Sequence, residues 1–301
     1  MGNSHPSPDK ALDSDELLRA DKLNQAQDEA LIKSWLHGKS KKTIQVYNRI
    51  AEDLLANLHP RSLKHADLQF LQNFINLLKA RKPETIKQRI AATRSLFCFA
   101  HKCGYLPTNP AAFLPQVKSK QKLAERYLEE EEVLRMIHLT QNLRDRTVLK
   151  VLYSSGVRVS ELCKLKWKDV TAREDGQGQL QIEEGKGDRL RVVVVSQSTY
   201  SDLIALKKPT SYPHEFVFQS QMSDRLSENR VREIVTEARL RAGIIRKVSP
   251  HWLRHCHASH ALNHGAPISL VQSTLGHSSV STTGKYLHSR PGESSGKYLS
   301  I

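Results

Sequence analysis

The sequence predicts a mainly α-helical protein in two domains, with a small β-hairpin in the second. Three observations lead there. Apolar residues recur at helical spacing over most of the chain from residue 25 onward. Alternation of period two is confined to residues 180–195. A basic stretch without periodicity, PQVKSKQKLAER at 115–126, lies between two periodic regions and reads as a linker. The length of 301 residues suits two domains, and 39% hydrophobic content is enough for real cores. No run of 18 apolar residues occurs, which excludes a transmembrane helix.

Residues 1–24 hold 3 basic and 5 acidic residues and read as a disordered extension. From 25 to 114 the pattern is helical. Trp35 lies in a first apolar stretch. Ser40 suits the N-cap of a helix from Lys41 to Leu58, where Ile44, Tyr47, Ile50, Leu54 and Leu58 share a face. A third helix is expected from Asp67 to Ala80. Pro83 suits the first turn of a fourth, with Ile86, Ile90, Phe97 and Ala100 on its apolar face and Gly104 at its end.

Beyond the linker, Leu128–Leu139 reads as a helix with glutamates in its first turn, where the macrodipole favours them. Thr147–Tyr153 and a helix starting at Ser160 follow. Leu180 and Ile182 alternate, Gly185-Lys186-Gly187-Asp188 makes a turn, and Arg189–Val195 returns as a Val-rich strand. Helical patterns at 199–207, 227–242, 250–263 and 267–275 complete a domain over 127–290. A tail occupies 291–301, and its SSGKYLS echoes TTGKYLH at 282–288.

Lys and Arg total 46 against 31 Asp and Glu, a net charge of +15. Residues 25–125 carry 17 basic and 7 acidic residues, net +10, and residues 126–301 carry 26 and 19, net +7. A hundred-residue segment at +10 fits a polyanion partner, although solubilising surface charge gives the same sum. The candidate backbone contacts are Lys39, Lys41, Lys42 and Arg49 early in the second helix, and Lys87 and Arg94, seven residues apart, in the fourth. Lys118, Lys120 and Lys122 in the linker join them. Cys98, Cys103, Cys163 and Cys256 are too few for a disulfide framework, and no signal peptide is visible, so a reduced, cytoplasmic protein is expected.

Four segments carry residue types suited to phosphate chemistry. In Ser249-Pro-His-Trp-Leu-Arg-His255, Ser249 and Pro250 should open a helix. His251, Arg254 and His255 then gather on one face beside free backbone N–H groups, an anion site. The rival reading is a metal site built from His251, His255, His257, His260 and His264. Arg254 would repel a cation there, and no Glu sits between the histidines as in a zinc helix. In Gly156-Val-Arg-Val-Ser-Glu-Leu162, Arg158 follows a glycine turn and can offer its guanidinium bidentately, with Glu161 one turn on to orient it. Lys186 sits at the hairpin tip. In Leu275-Gly-His-Ser-Ser-Val-Ser-Thr-Thr-Gly-Lys-Tyr-Leu-His288, His277 precedes Tyr286 by nine residues. Each segment alone also has a bland reading as a solvated turn, a salt-bridged helix start or a packing tyrosine.

In order and spacing, GVRVSEL, the GKGDR hairpin, SPHWLRHCHASHAL and LGHSSVSTTGKYLH resemble the tyrosine recombinase (phage integrase) family, its Xer-type site-specific recombinases in particular. The resemblance implies a C-shaped DNA clamp, with a helical, SAM-like core-binding domain and a mostly helical catalytic domain. It implies DNA cleavage and rejoining through a 3′-phosphotyrosyl intermediate, in integration, excision or dimer resolution, without cofactor, metal or ATP. The family's catalytic pattern falls on Arg158, Lys186, His251, Arg254, His277 and the nucleophile Tyr286. The implied partners are a double-stranded DNA site and further copies of the chain, as a tetramer on two sites or with a related recombinase. No membrane is involved, and the implied location is the nucleoid. An architectural DNA-binding relative and a type IB topoisomerase are the alternatives. Two departures stand out: His257 occupies a position where the family often has an aromatic residue, and Arg290-Pro-Gly-Glu interrupts the tail. Tyr298, in the echoed motif, is a nominal second nucleophile.

Overall fold

The computed structural model describes residues 14–77, 83–115, 127–183, 190–220 and 223–276. The linker positions 116–126, the hairpin turn 184–189 and everything from 277 onward lie outside the described residues. The chain divides into two compact units, Met1–Lys120 and Gln121–Ile301.

Among the described residues, the first unit contains four α-helices: α1 (Ser14–Leu36), α2 (Lys41–Leu58), α3 (Leu68–Asn76) and α4 (Pro83–Lys102). Helix α1 corrects the expectation of a disordered lead-in, because residues 14–24 form its beginning. Ser14 is followed by Asp15 and Glu16, which favour a helix start. No Gly or Pro then interrupts the run of Leu, Ala, Gln and Arg up to Leu36. The net negative charge of that stretch says nothing about helicity. Ser40 caps α2, its Oγ accepting the Thr43 N–H at 3.2 Å, and Asp67 caps α3, its Oδ1 accepting the Phe70 N–H at 2.7 Å. Helix α3 ends at Asn76, short of the expected Ala80. The core collects Trp35, Leu54, Leu71, Phe74, Leu96 and Phe97, and Trp35 stacks on Tyr47 at 5.2 Å. Asp28 is buried within this unit. Its carboxylate accepts the Leu63 N–H (2.9 Å) and the Tyr105 hydroxyl (2.7 Å), which ties α1 to the loops after α2 and α4. Burial raises its pKa above the usual carboxylate value despite these bonds.

The second unit opens with α5 (Glu130–His138), α6 (Leu143–Ser155) and α7 (Val159–Leu162). Helix α6 begins four residues before the expected Thr147. Asn142 caps it through the Asp145 N–H (3.1 Å), and its first turn, LRDR, is too polar to show in an apolar pattern. A three-stranded antiparallel sheet follows, in the order β1 (Val170–Ala172), β2 (Gly178–Glu183), β3 (Leu190–Val195). Strand β1 adds to the expected hairpin and is too short to show alternation. Leu180 pairs with Val193 and Ile182 with Arg191, so the inward face of β3 is Arg191, Val193 and Val195. Helices α8 (Gln197–Leu206), α9 (Glu228–Arg241), α10 (Pro250–Asn263) and α11 (Ile268–Leu275) are the remaining described helices of the unit. Helix α6 is buried nearly all round, with Val148, Leu149, Val151 and Leu152 inside the core. It packs against α5, α8 and α10, and supports the elements that carry the site.

Candidate active site

Three arginines converge on the end of helix α11. An α-helix leaves its last carbonyls without intrahelical donors and carries partial negative charge there, which cations complement. Gly276 closes α11 in the left-handed conformation at φ 63°. Three consecutive carbonyls each receive one guanidinium: Thr274 from Arg191 Nε at 2.9 Å, Leu275 from Arg254 Nη2 at 2.6 Å, and Gly276 from Arg158 Nη2 at 3.1 Å. His277 is the next residue in the chain. The same helix end is therefore gripped from α7, β3 and α10 at once.

Arg254 lies on α10 and is 3% exposed; its Nη1 also donates to the Gly156 carbonyl at 2.5 Å. Gly156 ends α6 at φ 61°, and a methyl group there would meet His257 and Leu275 side-chain carbons at 2.7 Å. Only glycine lets α6, α10 and α11 approach so closely. Two residues later Arg158 opens α7 and stays exposed. Glu161, on the first turn of α7, accepts the Arg158 backbone N–H (2.8 Å) and its Nη1 (2.7 Å), so the two side chains are paired.

Glu161 holds a second cation that sequence reasoning missed. Arg191 donates Nη2 to Oε2 at 2.6 Å and Nη1 to Oε1 at 3.1 Å. Both side chains are over nine-tenths buried, at 9% and 8% exposure. Burial alone would raise the Glu161 pKa, but the bonds from Arg191 and Arg158 hold it below the usual carboxylate value. The signal appears once the inward face of β3 is known. Residues 191, 193 and 195 share a strand face, so Arg191 is due to point inward, and a buried arginine needs a carboxylate.

His251 and Arg254 sit on α10 as expected, but they face differently: His251 is exposed and Arg254 buried. The His251 ring packs edge-on against His255, with centroids 4.2 Å apart. Ser249 occupies the N-cap position without a side-chain cap bond; the Trp252 N–H goes to its backbone carbonyl at 2.8 Å. Two other histidines of the cluster are structural. His257 Nδ1 donates to the Tyr153 carbonyl (2.8 Å), and burial, opposed by that bond, pushes its pKa down to about 4. His260 Nε2 donates to the Leu128 carbonyl at 3.0 Å, so its Nδ1 must accept the Tyr153 hydroxyl at 2.7 Å. Among the described residues no group of three or more His, Cys, Asp or Glu side chains could hold a metal. The four cysteines are free thiols.

Of the nine expected backbone contacts, Lys41, Lys42, Arg49 and Lys87 are exposed on α2 and α4. Lys39 is half-buried, its Nζ 5.6 Å from the Trp35 ring centroid and 6.0 Å from that of Tyr47. Arg94 is also half-buried and donates to the Leu114 carbonyl at 2.8 Å, a bond that joins α4 to the segment before the linker. Lys118, Lys120 and Lys122 lie outside the described residues, as do Lys186, His277, Tyr286 and Tyr298.

Comparison with known proteins gives a consistent picture. Residues 126–293 match the model of the phage integrase family, and residues 35–104 match that of the phage integrase N-terminal SAM-like domain. The chain is 30% identical over 269 residues to a tyrosine recombinase XerC of Thermodesulfovibrio yellowstonii, covering 83% of this chain and 87% of that protein. It is 34% identical over 211 residues to a tyrosine recombinase XerC of Xanthomonas campestris, covering 68% and 64%. Among solved structures, a lambda integrase tetramer bound to a Holliday junction shares the fold. The TM-score is 0.72 at 20% identity, over 91% of this chain and 79% of that one.

Proposed function

This chain belongs to the phage integrase family of tyrosine recombinases, and from that premise we propose that it cuts and rejoins DNA at specific sites with Tyr286 as nucleophile. A free tyrosine titrates near pH 10, so its phenolate must be stabilised or its proton removed for attack at neutral pH. Attack on a scissile phosphate forms a 3′-phosphotyrosyl bond and releases a 5′-hydroxyl. Arg158 and Arg254 hold the non-bridging oxygens and offset the charge that builds in the transition state. Lys186 protonates the leaving 5′-oxygen, His251 accepts the tyrosine proton, and His277 donates a hydrogen bond to the phosphate. The covalent bond conserves the energy of the phosphodiester, so rejoining to another strand consumes no ATP. The arginines and Lys186 supply the positive charge for which other phosphoryl-transfer enzymes use metal ions.

One observation carries this reading. Arg158 and Arg254, from different helices, both donate to the last two carbonyls before His277, so they are fixed around one point. Lys41, Lys42, Arg49 and Lys87 would grip the DNA backbone in the first unit, with the lysines of the linker. Double-stranded DNA and further copies of the chain are the partners, a tetramer holding two sites, and the place of action is the nucleoid. Among the described residues no helix is long and apolar enough to cross a membrane.

The test begins by selecting, from random duplexes, those the protein retains. These are then rebuilt with a nick beside the cleavage point, so that the released strand cannot religate. In the presence of EDTA, covalent protein–DNA adducts are expected on the selected sequence and not on scrambled duplex. Tight binding with no adduct would instead mean an architectural DNA-binding protein. Adducts that EDTA abolishes would overturn the metal-free scheme.

A further inference from the structure

We propose that Arg191, a residue outside the six-residue catalytic set, is a positioning residue for strand cleavage, acting through Glu161 on Arg158. The inference rests on the functional reading above. Arg191 has no role of its own in that scheme. It does join three of the segments the scheme needs. It lies on β3, five residues after Lys186. It grips the carboxylate that orients Arg158, through Nη1 and Nη2 at 3.1 and 2.6 Å. Its Nε holds the Thr274 carbonyl at 2.9 Å, three residues before His277.

The geometry of Glu161 explains why one arginine would not suffice. Its Oε1 accepts from both Arg158 Nη1 and Arg191 Nη1, and its Oε2 from the Arg158 backbone N–H and Arg191 Nη2. With all four bonds made, the carboxylate has one orientation, and Arg158 is held in register with it. Charge matters as well as shape. A lone Glu161–Arg158 pair is neutral and would mask Arg158 from a phosphate. With Arg191 sharing the carboxylate, the three side chains carry one net positive charge beside the reacting phosphate. Glu161 and Arg191 are over nine-tenths buried, which limits solvent screening on their side of Arg158.

The experiment compares wild type, Arg191→Gln and Arg191→Lys on the nicked duplex described above. One version carries the ordinary scissile phosphate. Another carries an uncharged methylphosphonate at the same position, which leaves one negative charge fewer for Arg158 to offset. Misplacing Arg158 by about an ångström should slow single-turnover cleavage of ordinary DNA by about 100-fold in Arg191→Gln. Non-covalent binding should stay within a few-fold of wild type. On methylphosphonate DNA the loss should shrink to a few-fold, and Arg191→Lys, which keeps the charge without the bidentate grip, should lie between the two. Thermal melting identifies any variant that fails to fold, and Arg191→Lys then decides. A variant that folds but loses equally on both substrates, or that cleaves ordinary DNA at the wild-type rate, overturns the proposal. Absence of any adduct from the wild-type chain would instead overturn the functional reading on which it stands.

Discussion

A single methyl group at Gly156 should unsettle both the fold and the site. Gly156 sits at φ 61°, where an L-residue pays about 1–2 kcal/mol. An added Cβ would also lie 2.7 Å from His257 Cδ2 and from Leu275 Cδ2. Contacts that short force neighbours off their rotamers, and overpacking of this kind costs about 1–3 kcal/mol. The reduced freedom of the unfolded chain returns about 0.4–1 kcal/mol. Gly156→Ala should therefore lose about 1.5–4 kcal/mol. Gly243 provides the control, because it too has positive φ (70°), yet a Cβ added there would meet no atom within 4 Å. Gly243→Ala should show the backbone cost alone, about 1 kcal/mol after the same offset. Urea unfolding followed by tryptophan fluorescence measures both variants. Cleavage should fall only in Gly156→Ala, because displacing Leu275 moves a carbonyl that anchors Arg254. Equal destabilisation by the two variants would refute the packing argument.

Two further outcomes are expected. Stability should fall as the medium is acidified from pH 7 to 5. His257 is depressed to about 4 in the fold, so the unfolded chain takes up a proton near pH 6.5 that the folded chain refuses until about pH 4. That difference is worth about 2 kcal/mol by pH 5 and spans the window from about 6.5 down to 4. Urea midpoints across that range measure it, and His257→Phe should flatten the slope; an unchanged slope would contradict the assignment. Lys87→Gln should weaken DNA binding, lower the slope of log affinity against log salt by about 1, and leave single-turnover cleavage at saturating protein unaltered. A slope equal to wild type would remove Lys87 from the backbone contacts.

The legible parts of the sequence are those where one local rule speaks alone. Ser40 and Asp67 announce helix starts because a short polar side chain caps a free N–H wherever it stands, and both do so here. Glu161 can be paired with Arg158 because they sit within one helical turn. The beginning of α1 is hidden because its acidic composition points to disorder, while the helix formers of residues 14–36 decide the matter. Strand β1 is three residues long and has no period to read. Arg191 is lost beside the run Val192–Val195, where every residue is apolar and the alternation shows only in burial. Its partners are distant in sequence, 30 residues away at Glu161 and 83 at Thr274, and only the fold brings them together. The same is true of the bond from Arg254 to Gly156, across 98 residues. Arg94 keeps its place on a basic helix face, and the fold adds a bond from its Nη1 to the Leu114 carbonyl, 20 residues away, that no local rule shows.

The central claim is that Tyr286 becomes covalently joined to DNA. It is tested most directly by trapping the adduct on nicked duplex, digesting protein and DNA, and locating the nucleotide-bearing peptide by mass spectrometry. The nucleotide is expected on Tyr286, with the adduct absent from Tyr286→Phe and retained by Tyr298→Phe. An adduct that survives Tyr286→Phe, or one that maps to Tyr298, would contradict the account.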